Sequence, residues 1–205
     1  ALALLGRLGI GKPFILYAGG VDQRKNVPRL LEAYAGLDPG LRAAFQLVLA
    51  GRAYPHDRER LQVQAGLLGI SEDELIFTGY VADSDLCALY NLCEVFVFPS
   101  WHEGFGLPAL EAMSCGAAVI ACNLTSIPEV VNREDALFDP FDIDDMRKKL
   151  HRALTDDQFR EALAAHGLRQ ASAFSWDRTG LAALHALETY ANRNPDRQVP
   201  PPSEE

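Results

Sequence analysis

Residues 103–111 read EGFGLPALE: two glutamates bracket a loop of glycine and apolar residues, with Pro108 near its end. Pro108 suits the first position of a helix, where a missing N–H costs nothing. WHEGFGL is then a loop feeding a helix. The backbone N–H groups of Gly104, Phe105, Gly106 and Leu107 lie at that helix's N-terminus, where unpaired donors and the helix dipole favour an anion such as a diphosphate. Glu103 precedes this nest, and Glu111 is placed in the first helical turn. Carboxylates accept hydrogen bonds well from paired sugar hydroxyls. Two of them beside a phosphate nest suit a nucleotide-sugar, one holding the ribose and the other the transferred sugar. The alternative is that Glu111 is a surface residue favoured by the dipole and Glu103 an ordinary loop charge.

A second group is cationic. Arg24 and Lys25 follow the run FILYAGG (residues 14–20) and precede a helical pattern. They could neutralise a diphosphate, more so as it departs; a solvated helix start would read the same way. Gly51 and Arg52 end the run FQLVLAGR. Arg52 is either a phosphate or base contact or a surface arginine. Val81 follows FTGY and reads as a contact or as core. His102 is a residue type suited to acid–base chemistry but is not assigned a direct role. DSD (residues 83–85) imitates a metal-binding motif, yet it opens the helical stretch LCALY. Asp83 or Ser84 therefore reads as an N-cap, and no metal is expected.

These residues need elements to position them. Apolar runs at residues 14–20, 45–52, 75–81, 95–100, 118–123 and 136–140 alternate with amphipathic stretches at 27–37, 58–69, 85–93 and 108–116, and 142–190 is helical throughout. Apolar strands separated by single helices predict an α/β fold, a Rossmann-like doubly wound parallel sheet of about six strands. Ligands bind such sheets beyond the strands' carboxyl ends. Gly19, Gly20, Gly51, Arg52, Val81 and residues 99–106 all fall there.

Composition narrows the classes further. The chain has 205 residues, 48% of them hydrophobic, enough for a substantial core. Lysine plus arginine total 19 against 28 acidic residues, a formal charge of −9, which argues against a nucleic-acid surface. No apolar run approaches the ~20 residues of a membrane span. The four cysteines form no CxxC pair and read as buried small hydrophobes in a reducing compartment. A domain is expected over 1–190, with a disordered proline-rich tail over 191–205.

EGFGLPALE resembles the E-x7-E motif of family 4 (group 1) retaining glycosyltransferases with the GT-B fold. GGVDQRKN, LVLAGR, IFTGYV, VFVFPSWHEGFGLPALEAMSCG, SIPEVV and LFDPFD follow in that family's order over residues 12 to 185. The resemblance implies a C-terminal, donor-binding half whose N-terminal acceptor domain lies before residue 1. It implies that Glu103 contacts the donor sugar, Glu111 the ribose, and Gly104 to Leu107 the sugar and phosphate. It places Arg24 and Lys25 on the diphosphate, Arg52 near the nucleotide, and the Val81 main chain near the base. Ser126 would shape the pocket wall. Some members carry arginine where this chain has Gly20. The wording of GGVDQRKN and EGFGLP is similar to mannosyltransferases that use GDP-mannose in surface-polysaccharide assembly. The implied partners are a nucleotide-sugar donor and a glycan or lipid-linked acceptor. The implied location is cytoplasmic, with peripheral association at the inner membrane face left open, and no cofactor is implied. The final helices around FSWDRTG would pack toward the acceptor domain. Two other classes stay open: a non-catalytic nucleotide-sugar sensor, and a GT-B phosphorylase, for whose pyridoxal phosphate no Schiff-base lysine is evident.

Overall fold

The computed structural model describes residues 2–193. Six strands, β1 (Phe14–Ala18), β2 (Gln46–Ala50), β3 (Leu75–Gly79), β4 (Val95–Phe98), β5 (Val119–Cys122) and β6 (Leu137–Phe138), form one sheet in the order β3-β2-β1-β4-β5-β6. Every pairing is parallel. The helices are α1 (Leu2–Leu8), α2 (Val27–Ala35), α3 (Pro39–Ala44), α4 (Pro55–Leu67), α5 (Asp83–Leu92), α6 (Leu107–Ser114), α7 (Ile127–Val131), α8 (Ile143–Thr155), α9 (Asp157–Ala171) and α10 (Trp176–Arg193). Single 3-10 turns occupy Gln23–Lys25 and Glu134–Ala136. The chain divides into two compact units, Ala1–Ala171 and Ser172–Glu205.

The apolar runs form the sheet because they can be buried on both faces. Every residue of β1, β2, β4 and β5 is buried, and each Leu, Ile or Phe so covered contributes about 1.5–3 kcal/mol. The edge strand β3 is only partly covered. Gln46, a polar residue at 2% exposure, is hydrogen-bonded through both its amide oxygen and its amide nitrogen. Its Oε1 accepts from the N–H groups of Gly11 and Lys12 at 2.9 and 3.0 Å, and its Nε2 donates to the Asp73 carbonyl at 2.8 Å. That amide ties together the amino ends of three neighbouring segments.

The short helices α1 and α3 were not foreseen. The stretch 142–190, expected to be helical throughout, divides into three helices. Asp156 leaves helical geometry (φ −112°, ψ 93°) as the C-cap of α8, while its carboxylate accepts the Phe159 N–H at 2.9 Å. One residue thus ends α8 and caps α9, so the apolar spacing runs across the break and hides it. Residues 191–193 of the expected tail are helical, since α10 continues to Arg193; residues 194–205 lie outside the described residues. Ala82, not Asp83 or Ser84, is the N-cap of α5, and no side chain caps it.

Strand order reverses between β1 and β4. Connections from β1 lead one way across the sheet and those from β4 lead the other. The loops after the two strands therefore diverge and leave a crevice at the carboxyl edge.

Candidate functional site

The crevice is floored by glycine. The strand ladder continues past β1 and β2 through Gly19 N–H to the Ala50 carbonyl and Gly51 N–H to the Gly79 carbonyl, both 2.9 Å. Gly51 has φ 135°, and a Cβ built on it would collide with the Gly19 carbonyl oxygen. Only glycine allows both the conformation and the approach. Ala18, Gly19, Gly51, Arg52, Tyr80, Val81, Asp83, Leu86, Tyr90, Pro108 and Glu111 line a groove of about 280 Å³. Five of the residues singled out in the sequence, Gly19, Gly51, Arg52, Val81 and Glu111, meet there. The Arg52 guanidinium lies 5.0 Å from the Tyr80 ring centroid. A larger cavity of about 430 Å³ between α4 and β3 lies away from this edge.

Glu111 sits in the second turn of α6, not the first, because the helix begins at Leu107. The dipole therefore explains its presence less well. It is exposed on the groove, and its Oε2 accepts the Tyr90 hydroxyl at 3.1 Å. Tyr90 is 2% exposed. Burial, then the Glu111 charge, raises its phenol pKa, so it stays a proton donor that fixes the carboxylate. Tyr90 was missed in the sequence, where it read as one more apolar helix residue.

The α6 N-terminus carries the loop. Gly106 has φ 101°, and a Cβ there would strike Ile127 of α7. Leu107 and Pro108 open the helix; Pro108 brings no N–H, and the Ala109 and Leu110 N–H groups donate to the Gly106 carbonyl at 3.0 and 3.3 Å. Opposite, Ser126 Oγ lies 3.2 Å from the Glu103 carbonyl and 2.9 Å from that of Phe105, and Thr125 Oγ1 accepts the Glu103 N–H at 3.3 Å. The α7 side thus holds the loop by its backbone.

Glu103, Arg24 and Lys25 form one cluster. Lys25 Nζ lies 2.6 Å from Glu103 Oε1, with side chains 12% and 11% exposed. Arg24 reaches Glu103 Oε2 at 3.4 Å, Asp22 at 3.1 Å and the His102 carbonyl at 3.3 Å. Burial pushes the Glu103 carboxyl up, but hydrogen bonds from Lys25 and Ser100 and the charges of Lys25 and Arg24 outweigh it. They hold the pKa below its ordinary value. Sequence reasoning treated the cations and Glu103 as separate contacts, whereas here they neutralise one another.

Two further residues build this cluster. Ser100 Oγ and Trp101 N–H both bond the Arg24 carbonyl at 3.0 Å. Asn26, 1% exposed, adopts a left-handed φ of 61°, which asparagine tolerates. Its Nδ2 donates to the carbonyls of Pro99 at 3.2 Å and Pro140 at 2.8 Å. The loop after β1 is thereby strapped to the ends of β4 and β6. The asparagine ending GGVDQRKN was the only local signal. Gly20 contributes its carbonyl, which accepts the buried Tyr17 hydroxyl. Among the described residues no group of three His, Cys, Asp or Glu could hold a metal.

This parallel strand order, with a glycine-floored crevice where the winding reverses, defines a Rossmann-like fold. The chain belongs to the glycosyl transferases group 1 family, whose model matches residues 7–170. It is 46% identical over 185 residues to the serotype-specific mannosyltransferase WbdA of Escherichia coli, covering 90% of this chain and 23% of that protein. It is 40% identical over 175 residues to the O-antigen chain mannosyltransferase B of Escherichia coli, covering 85% of this chain and 45% of that one. Among solved structures, sucrose-phosphate synthase from Thermosynechococcus elongatus superposes with a TM-score of 0.79 at 28% identity, over 93% of this chain and 49% of that chain. The chain thus spans less than half the length of these relatives.

Proposed function

We propose that this chain is the donor-binding half of a retaining glycosyltransferase that transfers mannose from GDP-mannose to a glycan or lipid-linked acceptor. The observation that carries this reading is the joining of a glycine-floored groove, holding Glu111, to a helix N-terminus flanked by Arg24, Lys25 and Glu103. Relatives named as mannosyltransferases support the choice of sugar. The acceptor would be held by a further domain of a longer protein, at the inner face of the cytoplasmic membrane.

The base and ribose lie in the groove, near the Val81 main chain and Arg52, with Glu111 accepting hydrogen bonds from the ribose hydroxyls. The diphosphate lies against the Leu107 amide at the start of α6 and between Arg24 and Lys25. Lysine has three N–H donors, so Lys25 can keep Glu103 while serving a phosphate oxygen. As the sugar–phosphate bond breaks, negative charge grows on the diphosphate, and these fixed donors stabilise it more than the ground state. Glu103 faces the sugar, where positive charge develops at the anomeric carbon. The test is calorimetric titration with GDP, UDP and ADP, followed by turnover of GDP-mannose by the complete protein. Tightest binding of UDP or ADP, or transfer with inverted anomeric configuration, overturns the respective part.

A further inference from the structure

The structure pairs two cysteines between α5 and α6, the helices that carry Tyr90 and Glu111. Cys87 on α5 and Cys115 at the end of α6 have sulfurs 3.5 Å apart. Cys87 is exposed and Cys115 half-buried, against the expectation that all four cysteines are buried. The other two thiols are engaged elsewhere: Cys122 Sγ donates to the Ser100 carbonyl at 2.7 Å and Cys93 Sγ to that of Tyr90 at 3.3 Å. Burial pushes Cys122 up to about 11 and Cys93 up to about 12, and burial together with the Cys87 contact raises Cys115 up to about 11 as well, so the exposed Cys87 is the thiol placed to react first.

The sulfur contact is one of two rungs between α5 and α6. The next is the Tyr90–Glu111 hydrogen bond. Cys87 and Tyr90 share one face of α5, and Glu111 and Cys115 share one face of α6, as spacings of three and four residues require. Tyr90 and Glu111 line the groove.

We propose that Cys87 and Cys115 form a redox-active dithiol that a peroxide converts to an intrachain disulfide. The exposed Cys87 thiolate attacks a peroxide oxygen: an S–O bond forms, the O–O bond breaks, and the leaving hydroxide takes a proton to become water. The Cys115 thiol then attacks the sulfur of the Cys87 sulfenic acid: the S–S bond forms, the S–O bond breaks, and the departing hydroxide takes the Cys115 proton to leave as water. The two thiols lose two electrons in all, and the peroxide gains them. A disulfide needs its sulfurs ~2.05 Å apart, so the rung tightens and α5 is drawn toward α6. Resting on the nucleotide-binding reading, this narrows the groove, and the oxidised protein binds GDP several-fold more weakly than the reduced one.

The experiment treats the whole chain with hydrogen peroxide, alkylates the remaining thiols under denaturing conditions, and maps the peptides. The expected result is loss of two of the four thiols, a single Cys87–Cys115 link, and full reversal by dithiothreitol. Cys93→Ser should form the same link, and neither Cys87→Ser nor Cys115→Ser should form it. Four surviving thiols, a sulfinic acid on Cys87, a link between two copies, or another pairing overturns the dithiol. Titration of both redox states with GDP tests the consequence, and equal affinities overturn the coupling. A reduced protein that binds none of GDP, UDP and ADP would instead defeat the proposed function, with the thiol mapping still deciding the dithiol.

Discussion

Lys25 and Glu103 hold one another at 2.6 Å with little solvent around them, so each substitution alters the other partner too. Losing a carboxylate that serves sugar hydroxyls costs about 1.5–3 kcal/mol, roughly ten- to hundredfold in affinity. On the proposed roles, Glu111→Gln weakens GDP and GDP-mannose by similar factors. Glu103→Gln weakens GDP-mannose alone, and GDP affinity does not fall because Lys25 loses a competing anion. A drop in GDP affinity in Glu103→Gln, measured by calorimetry, would sink that assignment. The same pair sets a pH dependence. The Glu103 pKa is below its ordinary 4.5 in the folded chain, so on acidification the unfolded chain takes up the proton first. Its stabilising contribution is present above about pH 4.5 and is lost as pH falls through the folded value. Urea unfolding at neutral pH and at successive acid values should show a shallower acid loss in Glu103→Gln. The remaining slope belongs to groups such as Glu74 and Asp135, whose values are also lowered.

At the level of elements, the groove depends on how closely the ends of β1 and β2 approach. Gly51→Ala places a methyl group against the Gly19 carbonyl at a φ that L-residues rarely adopt. The expected cost is about 1–3 kcal/mol of stability, with GDP binding reduced more than the melting temperature alone implies. A variant with unchanged melting and binding would show that the floor yields freely. Gly20 is the contrasting case. Its φ is not positive, and a Cβ there meets only Asp22 Oδ2 at 3.6 Å. Gly20→Arg, the residue some family members carry, should therefore fold normally and tighten GDP binding by adding a cation near the diphosphate. A lower melting temperature or weaker GDP binding would contradict this.

For the molecule as a whole, the crevice exists because six strands run in parallel and the winding reverses between β1 and β4. A ligand seated there touches the loops after several strands and stabilises the folded state over the unfolded one. At a hundredfold excess over its Kd, GDP should add about 2.7 kcal/mol, roughly 5–10 °C in Tm for a chain of this size. The proposed donors to the diphosphate are Arg24, Lys25 and the α6 N-terminus, with no metal among them, so EDTA should leave that shift unchanged. A shift that vanishes with EDTA and returns with magnesium would require a metal in the complex.

The amino-acid sequence by itself determined the alternation of buried strands with helices and the glycines after the strands. It also marked the family's motif order. Such features are written in local periodicity and in the backbone needs of single residues. The ion pair of Lys25 with Glu103 spans 78 positions, and Asn26 bonds a carbonyl 114 positions away. Tyr90 beneath Glu111 and Cys87 beside Cys115 depend in the same way on how α5 meets α6. The break at Asp156 escaped notice because apolar spacing continues through it. Partners distant in the chain are chosen by strand order and by the packing of helices on the sheet. Only the tertiary structure decided them, because that order is the collective result of burying every strand at once and is carried by no single segment.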